Sequence, residues 1–235
     1  MSTPAPSSDP TPGQPAPADS GQPHAPDPVL RRRVIGAVWA AFLGLAVAAL
    51  WLERYQLAGV AALSAVLSAA PVVFAARFRI VLPLPMVLAL AVFLAASLVA
   101  GEAFGAYEKL WWWDLALHGA SATGFAMAGM LFVLMLFEGD RFAAPPWALT
   151  AIAICLAIAA GTVWELFEFA MDQTFGLSMQ KSGLPDTMGD LAVNALGATL
   201  GGAFGALYLA GQKHSLGARV IAQFMRLNPR HFRRR

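Results

Sequence analysis

Ionisable side chains gather at the ends of three apolar segments, at spacings that place them on common helix faces. Residues three or four apart share one face of a helix. Asp114 and His118 are four positions apart and open one segment, whereas Glu165 and Glu168 are three apart near the end of the next. A third stripe opens the following segment with Asp186, Asp190 and Asn194. Ionisable groups at membrane depth are costly, so this cluster predicts a functional polar site.

Carboxylates that crowd together either take up protons or share a cation. Oxygen-rich ligand sets suit Mg²⁺ or Mn²⁺, and one imidazole among carboxylates also suits Zn²⁺. We therefore expect one divalent metal ion, Zn, Mn or Mg. The predicted metal ligands are His118, Glu165, Asp186, Asp190 and Asn194, and the predicted catalytic acid–base residues are Asp114 and Glu168.

Some of the same acids have a simpler interpretation. A carboxylate near a helix N-terminus is favoured by the helix dipole, which would account for Asp114, Asp186 or Asp190. Wetted interfacial charge is the expectation for four further acids, Glu53, Glu102, Glu108 and Asp172. His118, Glu165 and Asp190 lie about a turn or more inside apolar runs, so a functional interpretation is favoured for these three.

The elements that must position these residues are transmembrane helices. The chain has 235 residues, of which 58% are hydrophobic and 13% charged. Six apolar runs are each long enough to cross a hydrocarbon core of about 30 Å, and they cover approximately residues 34–52, 57–76, 80–101, 115–137, 147–171 and 191–210. None alternates with a period of two, so we predict an all-α polytopic bundle of six transmembrane helices.

Basic residues predict the orientation, because Lys and Arg are enriched in cytoplasmic loops. Six spans place both termini on one side, and thirteen of the sixteen Lys and Arg residues fall there. The other side holds only Arg54, Lys109 and Lys181. We therefore predict a multi-pass protein of the bacterial cytoplasmic (inner) membrane, with both termini cytoplasmic and the acidic cluster extracytoplasmic.

The two ends of the chain differ from its centre in composition. Nine of the sixteen prolines lie in residues 1–28, so we expect residues 1–29 to be a disordered cytoplasmic tail. Residues 30–211 form the predicted six-helix domain. Residues 212–235 are a predicted basic amphipathic tail, whose apolar face (Leu216, Val220, Phe224 and Leu227) would lie on the anionic leaflet. That placement explains the arginines without a nucleic-acid partner. Cys155 is expected to be a small buried hydrophobe.

The motif residues resemble the YjdF-like family of bacterial inner-membrane proteins. The matching segments are Trp113-Asp114 followed by His118, Trp164-Glu165-Leu166-Phe167-Glu168-Phe169, and Gly183-Leu184-Pro185-Asp186-Thr187 running on to Asp190, Asn194, Gly197 and Ala198. The segment from Asp190 to Gly197 is more distantly similar to VanZ-like membrane proteins, from which the chain departs at Leu115, Glu168 and Lys181. The resemblance implies a bacterial multi-helix membrane protein with these polar residues as its motif positions.

Three functions are compatible with this polar cluster. The first is a metal-dependent enzyme that hydrolyses or transfers groups on a lipid or a lipid-linked cell-envelope precursor at the outer leaflet. The second is a non-catalytic scaffold or envelope-stress protein, in which the cluster only pins three helices together. The third is a proton- or cation-coupled transporter, although no acid lies at the middle of a span and no inverted repeat is evident.

Overall fold

The structure is a computed structural model that describes residues 28–137, 144–212 and 214–232. Within these residues the chain is helical, without strands. The α-helices are α1 (Pro28–Trp51), α2 (Tyr55–Arg77), α3 (Leu84–Leu94), α4 (Ala106–Lys109), α5 (Trp113–Phe137), α6 (Pro146–Phe175), α7 (Leu184–Leu209) and α8 (Leu216–Leu227). A π-helix, Ala95–Ala103, continues α3, and a 3₁₀ turn, Pro229–His231, follows α8.

Six of these helices are long and apolar enough to cross a membrane: α1, α2, α3 with its π-helical continuation, α5, α6 and α7. The predicted all-α polytopic bundle is thereby confirmed. One boundary matters for the site, because the last span begins as a helix at Leu184 rather than near residue 191. Gly183 turns the chain with φ 68°, and Pro185 fits the first helical turn, where its missing N–H costs nothing. Asp186 and Asp190 consequently lie within α7.

We call the end of the bundle that carries the α6–α7 loop, residues 176–183, the loop end. Helix α6 has 30 residues, so it is about 45 Å long at 1.5 Å per residue. That length exceeds a hydrocarbon core of about 30 Å. The polar final turns of α6 can therefore reach the interfacial layer while its apolar part still spans the core. Gly176, in the left-handed conformation at φ 66°, ends the helix.

Helices α5, α6 and α7 pack into a tight three-helix core, with α5 and α7 in the most extensive contact. Small side chains make this approach possible (Ala122, Ala126, Ala157 and Ala198 are buried where the three helices meet). A methyl group at Gly197 would overlap the backbone carbonyl oxygen of Gly119 on α5. The hydroxyl of Thr123 donates to the carbonyl oxygens of Gly119 at 2.8 Å and of Gly197 at 3.0 Å, which ties α5 to α7. Close backbone approach through small residues is the usual basis of helix association in membranes.

Helices α1, α2 and α3 form a second layer with its own apolar cluster, built around Phe42, Ala65, Ala91 and Leu94. The π-helical continuation of α3 and the short α4 carry the chain back to the start of α5 at the loop end. This second layer therefore supplies one wall near the site.

Helix α8 closes the end of the bundle opposite the loop end. Its apolar face packs on α5 and α7 through Ile221 and Phe224, which are 0% and 3% exposed. The expectation that the predicted apolar face lies on the leaflet is wrong for Val220 and Phe224, because protein covers both side chains. Leu216, which we assigned to the same face, is 70% exposed. Asn228 then fastens the segment, since its side chain accepts from the Val81 N–H at 2.7 Å and donates to the Val81 carbonyl at 2.9 Å.

Cys155 lies on the exposed surface of α6, so the expectation of a buried thiol is wrong. The face of α6 that packs inward carries Ala153 and Ala157 instead, which are smaller and allow closer approach. The predicted disordered tail lies outside the described residues, except for Pro28 and Val29, which begin α1. The division of the chain at residues 29 and 211 stays a prediction.

Candidate metal centre

His118 lies at the centre of the polar cluster, and both of its ring nitrogens face acidic side chains. Its Nε2 is 3.6 Å from Asp114 Oδ1 and 4.0 Å from Asp190 Oδ2. Its Nδ1 is 3.4 Å from Glu165 Oε1 and 3.4 Å from Asn194 Nδ2. The i, i+4 spacing on α5 brings Asp114 to one side, whereas α6 and α7 contribute the other groups. The imidazole therefore links all three core helices.

The cluster is buried, but it is open on one side. His118, Glu165 and Asp190 are 7%, 4% and 2% exposed. The Asp114 side chain is 22% exposed, so the Nε2 side is the more accessible one. Glu168 is also buried, and its Oε1 accepts a hydrogen bond of 2.8 Å from Trp164 Nε1.

Two buried side chains in the cluster have polar atoms without hydrogen-bond partners among the described residues. They are both carboxylate oxygens of Glu165 and the Oδ1 of Asn194. The 3.4 Å approach of Glu165 Oε1 to His118 Nδ1 is a contact between ionisable groups and does not meet hydrogen-bond geometry. Leaving a buried polar group unpaired costs about 1–3 kcal/mol, and more for a charged group. These orphaned atoms point to a ligand that would satisfy them.

Helix geometry explains why His118 of α5 and Asp190 of α7 lie at similar depth. At 1.5 Å per residue, His118 is about 8 Å from the start of α5 and Asp190 about 9 Å from the start of α7. Asn194 lies one turn further along α7 than Asp190, and it faces Gly161 of α6, which has no side chain. A methyl group at Gly161 would lie 2.6 Å from Asn194 Nδ2, so only glycine leaves room for the amide there.

Among the described residues, two overlapping sets of side chains could hold a metal ion. Asp114, His118 and Asp190 each offer a ligand atom within 4.8 Å of the others, and so do His118, Glu165 and Glu168. Ligands bound at about 2.1 Å in a tetrahedral arrangement lie about 3.4 Å apart. The separations of 3.6 Å and 4.0 Å from Nε2 are close to that value. A bound ion would draw Nε2 about 0.2 Å closer to Asp114 Oδ1 and about 0.6 Å closer to Asp190 Oδ2.

The structure brings together six of the seven predicted site residues: Asp114, His118, Glu165, Glu168, Asp190 and Asn194. Asp186 lies apart from both sets, because its Oδ2 accepts a hydrogen bond of 3.0 Å from the backbone N–H of Lys181. Its assignment as a ligand, like the other roles, stays a prediction.

Asp172 differs from the wetted interfacial charge that we expected. Its two oxygens accept hydrogen bonds from the backbone N–H groups of Met179 at 2.8 Å and Gln180 at 2.9 Å. The carboxylate therefore braces the α6–α7 loop from the last turn of α6.

Sequence reasoning assigned no role to Lys181, whose Nζ lies 3.7 Å from Asp114 Oδ2. Only its position in the sequence could have indicated a role, since it is the only basic residue between the acidic stripes of the last two spans. Trp164 was also given no role, although its spacing of four from Glu168 is compatible with the indole hydrogen bond.

Tyr107 forms a wall beside Lys181, and its position depends on the π-helix. The Tyr107 ring covers Gly101, where no side chain would fit, and its hydroxyl shares a hydrogen bond of 2.9 Å with Ser97. Burial raises the pKa of Tyr107 to about 12, with the hydrogen bond to Ser97 opposing this and the charge of Asp114 adding to it. The phenol consequently stays protonated at neutral pH.

Comparison with known proteins gives a family but no activity. The chain is 31% identical over 99 residues to a Thermotoga maritima protein named only as an uncharacterized protein, with 42% of this chain and 50% of that protein covered. The chain thus spans about half the length of this curated relative. No solved structure matches, and these matches do not show the more distant similarity to VanZ-like proteins. Residues 32–211, most of the chain, match the family described as "Predicted membrane protein (DUF2238)", and the chain belongs to that family.

Proposed function

We propose that this protein is a membrane-embedded, metal-dependent enzyme that hydrolyses or transfers a phosphoryl or acyl group of a lipid at the membrane interface. The observation that carries the proposal is the Glu165 carboxylate, which is 4% exposed and has no hydrogen bond to either oxygen among the described residues. An ionised carboxylate in that state is costly unless a cation is near. Glu168 and Asp190 place two further carboxyl groups near the same imidazole.

The Nε2 side of His118 is the better place for the ion. A catalytic metal site keeps a position open for water or substrate, and Asp114 gives that side the only substantial exposure in the cluster. Asp114, His118 and Asp190 would then be the ligands. Glu165 would add negative charge on the other side of the ring, where its Oε1 lies 3.4 Å from Nδ1. One imidazole with two carboxylates favours Zn²⁺ or Mn²⁺ over Mg²⁺.

The chemistry follows from this arrangement. The site would supply a Lewis acid that polarises a phosphoryl or carbonyl oxygen. In hydrolysis, the oxygen of water bonds to phosphorus or carbon, the ester bond breaks, and the leaving oxygen ends with a proton that came from water. Glu168 remains the proposed general base, because it is buried in the same cluster and one of its oxygens lies within 4.8 Å of a His118 ring nitrogen.

The test measures metal content and lipid turnover in the same preparation. The protein is purified without chelator, analysed for bound elements, and titrated with Zn²⁺ and Mn²⁺ by calorimetry. We expect one ion per chain, and at least tenfold weaker binding in His118→Ala and Asp190→Asn. Glu102→Gln is the matched control, because Glu102 is an exposed acid outside both ligand sets.

Three outcomes decide between the candidates. Metal binding that depends on His118, together with metal-dependent release of a phosphate or fatty acid from added lipids, supports the enzyme. A wild-type protein that binds no ion and turns over no lipid contradicts it. Variants that lose the fold without any ion having been bound favour the scaffold, in which the cluster only pins α5, α6 and α7 together.

We also propose the YjdF-like bacterial inner-membrane setting, with both termini cytoplasmic and the loop end outside. The family match supports the first part, and the excess of basic residues at the α8 end supports the second. Reporter fusions test the orientation: alkaline phosphatase inserted in residues 176–183 should be active, and a C-terminal fusion inactive. The reverse pattern would place the site in the cytoplasm.

A further inference from the structure

The positively charged ammonium group of Lys181 lies at the open side of the candidate metal centre. Its Nζ lies 3.7 Å from Asp114 Oδ2, while Asp114 Oδ1 lies 3.6 Å from His118 Nε2. A single carboxylate thus separates the ammonium from the proposed metal position. The side chain of Lys181 is 36% exposed, so it is partly accessible at the mouth of the site.

The loop that carries Lys181 is braced at several points. Asp172 accepts from two loop N–H groups, and Asp186 accepts from the N–H of Lys181 itself. The Gln180 side chain donates to the Thr187 hydroxyl at 2.7 Å. Bonds of a carboxylate to backbone N–H groups are stronger than neutral ones. The backbone of Lys181 is consequently fixed from both α6 and α7.

The side chain of Lys181 rests on Tyr107. Its Nζ is 4.2 Å from the ring centroid and donates to the Tyr107 carbonyl oxygen at 3.3 Å. A cation over an aromatic face is stabilised by the ring quadrupole. Tyr107 is itself held by Ser97 of the π-helix. Backbone and side chain together keep the ammonium beside Asp114 rather than free in solvent.

The ammonium group of Lys181 still has hydrogen-bond donors available while it lies beside Asp114. A lysine has three donors, and the separation of 3.7 Å from Asp114 Oδ2 exceeds a hydrogen bond. The carbonyl of Tyr107 takes one donor. The remaining donors can reach an anionic oxygen that approaches the mouth of the site.

We propose that Lys181 binds the phosphate group of a phospholipid whose ester bond is presented to the metal centre. This inference rests on the proposed function and adds the substrate class and its anchoring residue. A tetrahedral phosphate offers several anionic oxygens, so one can meet the ammonium while another faces the metal position. Paired cationic groups of this kind are how proteins clamp phosphoryl oxygens.

A lipid source for the phosphate is favoured by a groove on the outer surface of α5 and α7. The groove has a volume of about 340 Å³, and its walls include Gly119 and Val193, which are next to His118 and Asn194 in the chain. Its walls are small and apolar, with only one hydroxyl (Gly119, Ala120, Thr123, Val193, Leu196 and Leu200). An acyl chain lying there would have its headgroup at the level of the polar cluster.

The test is binding of three soluble probes to the full chain in detergent, measured by tryptophan fluorescence and calorimetry. The probes are dihexanoyl phosphatidic acid, inorganic phosphate and dihexanoylglycerol. Each is titrated against wild type, Lys181→Met, Lys181→Arg and Lys109→Met. Lys109 is the matched control, because it is a lysine at the same end whose Nζ bonds to the Phe104 carbonyl oxygen instead of approaching Asp114.

We expect phosphatidic acid to bind wild type, and Lys181→Met to weaken binding about tenfold to a hundredfold, as for one charge-assisted hydrogen bond. Lys181→Arg should recover most of the affinity, and Lys109→Met should match wild type. Equal binding of phosphatidic acid by Lys181→Met and wild type would overturn the proposal, as would binding of dihexanoylglycerol as tight as that of phosphatidic acid. Inorganic phosphate binding as tightly as phosphatidic acid would overturn the lipid assignment.

A parallel metal titration separates this inference from the proposed function. Lys181→Met should keep its divalent-ion affinity within a few-fold of wild type, since lysine is not a ligand. Loss of metal and of phosphatidic acid binding together, with an altered melting temperature, would mean that Lys181 only holds the structure, which overturns the inference. Lys181-dependent phosphatidic acid binding in a protein that binds no metal would uphold the phosphate site and contradict the enzyme.

Discussion

Gly201 on α7 is a position where a single added methyl group should force two helices apart. A Cβ there would lie 2.5 Å from the Thr123 carbonyl oxygen and 2.7 Å from the Ala126 methyl on α5. Ordinary van der Waals contact begins at 3.4 Å, so α7 would have to move away by about 0.9 Å. The backbone carbonyl cannot rotate aside as a flexible side chain would. Gly201→Ala therefore opens the α5–α7 seam.

The loss of stability caused by Gly201→Ala can be estimated from these contacts. Overpacking of a tight core costs about 1–3 kcal/mol, and replacing a mid-helix glycine by alanine returns about 0.5–1 kcal/mol. We expect a net loss of about 1–2 kcal/mol in the free energy of unfolding. Gly124→Ala on α5 is the matched control, because a methyl there meets nothing within 4 Å. That variant should be unchanged or stabilised by up to about 1 kcal/mol.

The assay is denaturant or thermal unfolding in one detergent, followed by tryptophan fluorescence, with metal titration of the folded protein. Gly197→Ala should affect the metal centre more than Gly201→Ala, because its methyl would overlap the carbonyl of Gly119, the residue next to His118. We expect at least tenfold weaker metal binding in Gly197→Ala, since His118 and Asp190 are already 4.0 Å apart. If Gly201→Ala and Gly124→Ala were equally stable, the close packing of α5 on α7 would be refuted.

Three further predictions address other parts of the chain. Tyr107 should titrate near pH 12 by ultraviolet absorbance. The pKa of Tyr107 in the folded protein lies above the unfolded value of about 10, so its contribution to stability is present below pH 10 and lost as the pH rises through 12. Tyr107→Phe should remove this loss of stability at high pH. Asn228→Ala should lower the free energy of unfolding by about 2–4 kcal/mol, because it deletes three hydrogen bonds, two to Val81 and one to Phe224; unchanged melting would contradict the clamp. Asp172→Ala should speed tryptic cleavage after Lys181 at least tenfold, since local opening governs cleavage, and equal rates would show that the carboxylate does not brace the loop.

The helical spans follow from local composition. A segment that crosses the hydrocarbon core must be long and apolar, and its backbone hydrogen bonds must form within the segment. Such segments can be recognised in the sequence without knowing which helices are in contact. Helix periodicity likewise predicted that Asp114 and His118 share a face, as do Glu165 and Glu168, because such spacings depend only on the 3.6-residue turn. Gly197 and Gly201 of the last span lie where α7 meets α5, because small residues let the two backbones approach closely.

Contacts between segments far apart in the chain were decided only by the tertiary structure. Asp172 and Asp186 look alike in sequence to the acids of the cluster, yet they bond to loop N–H groups, because a loop that turns back offers unpaired donors there. The apolar face of α8 fits a leaflet as well as a protein surface, and only the packing of Ile221 and Phe224 shows which one covers it. Cys155 illustrates the same point, since apolar composition in a membrane span does not distinguish the lipid-facing from the inner surface.

The sequence by itself thus determined the helices and the polar faces that each one presents, because both depend on neighbours within a turn or two. Only the tertiary structure decided that His118 lies between acids of three helices, and that Lys181 and Tyr107 stand at the mouth of that cluster. The physical reason is that distance in space between helices depends on which small residues let backbones approach, and a one-dimensional pattern does not state which pairs will meet.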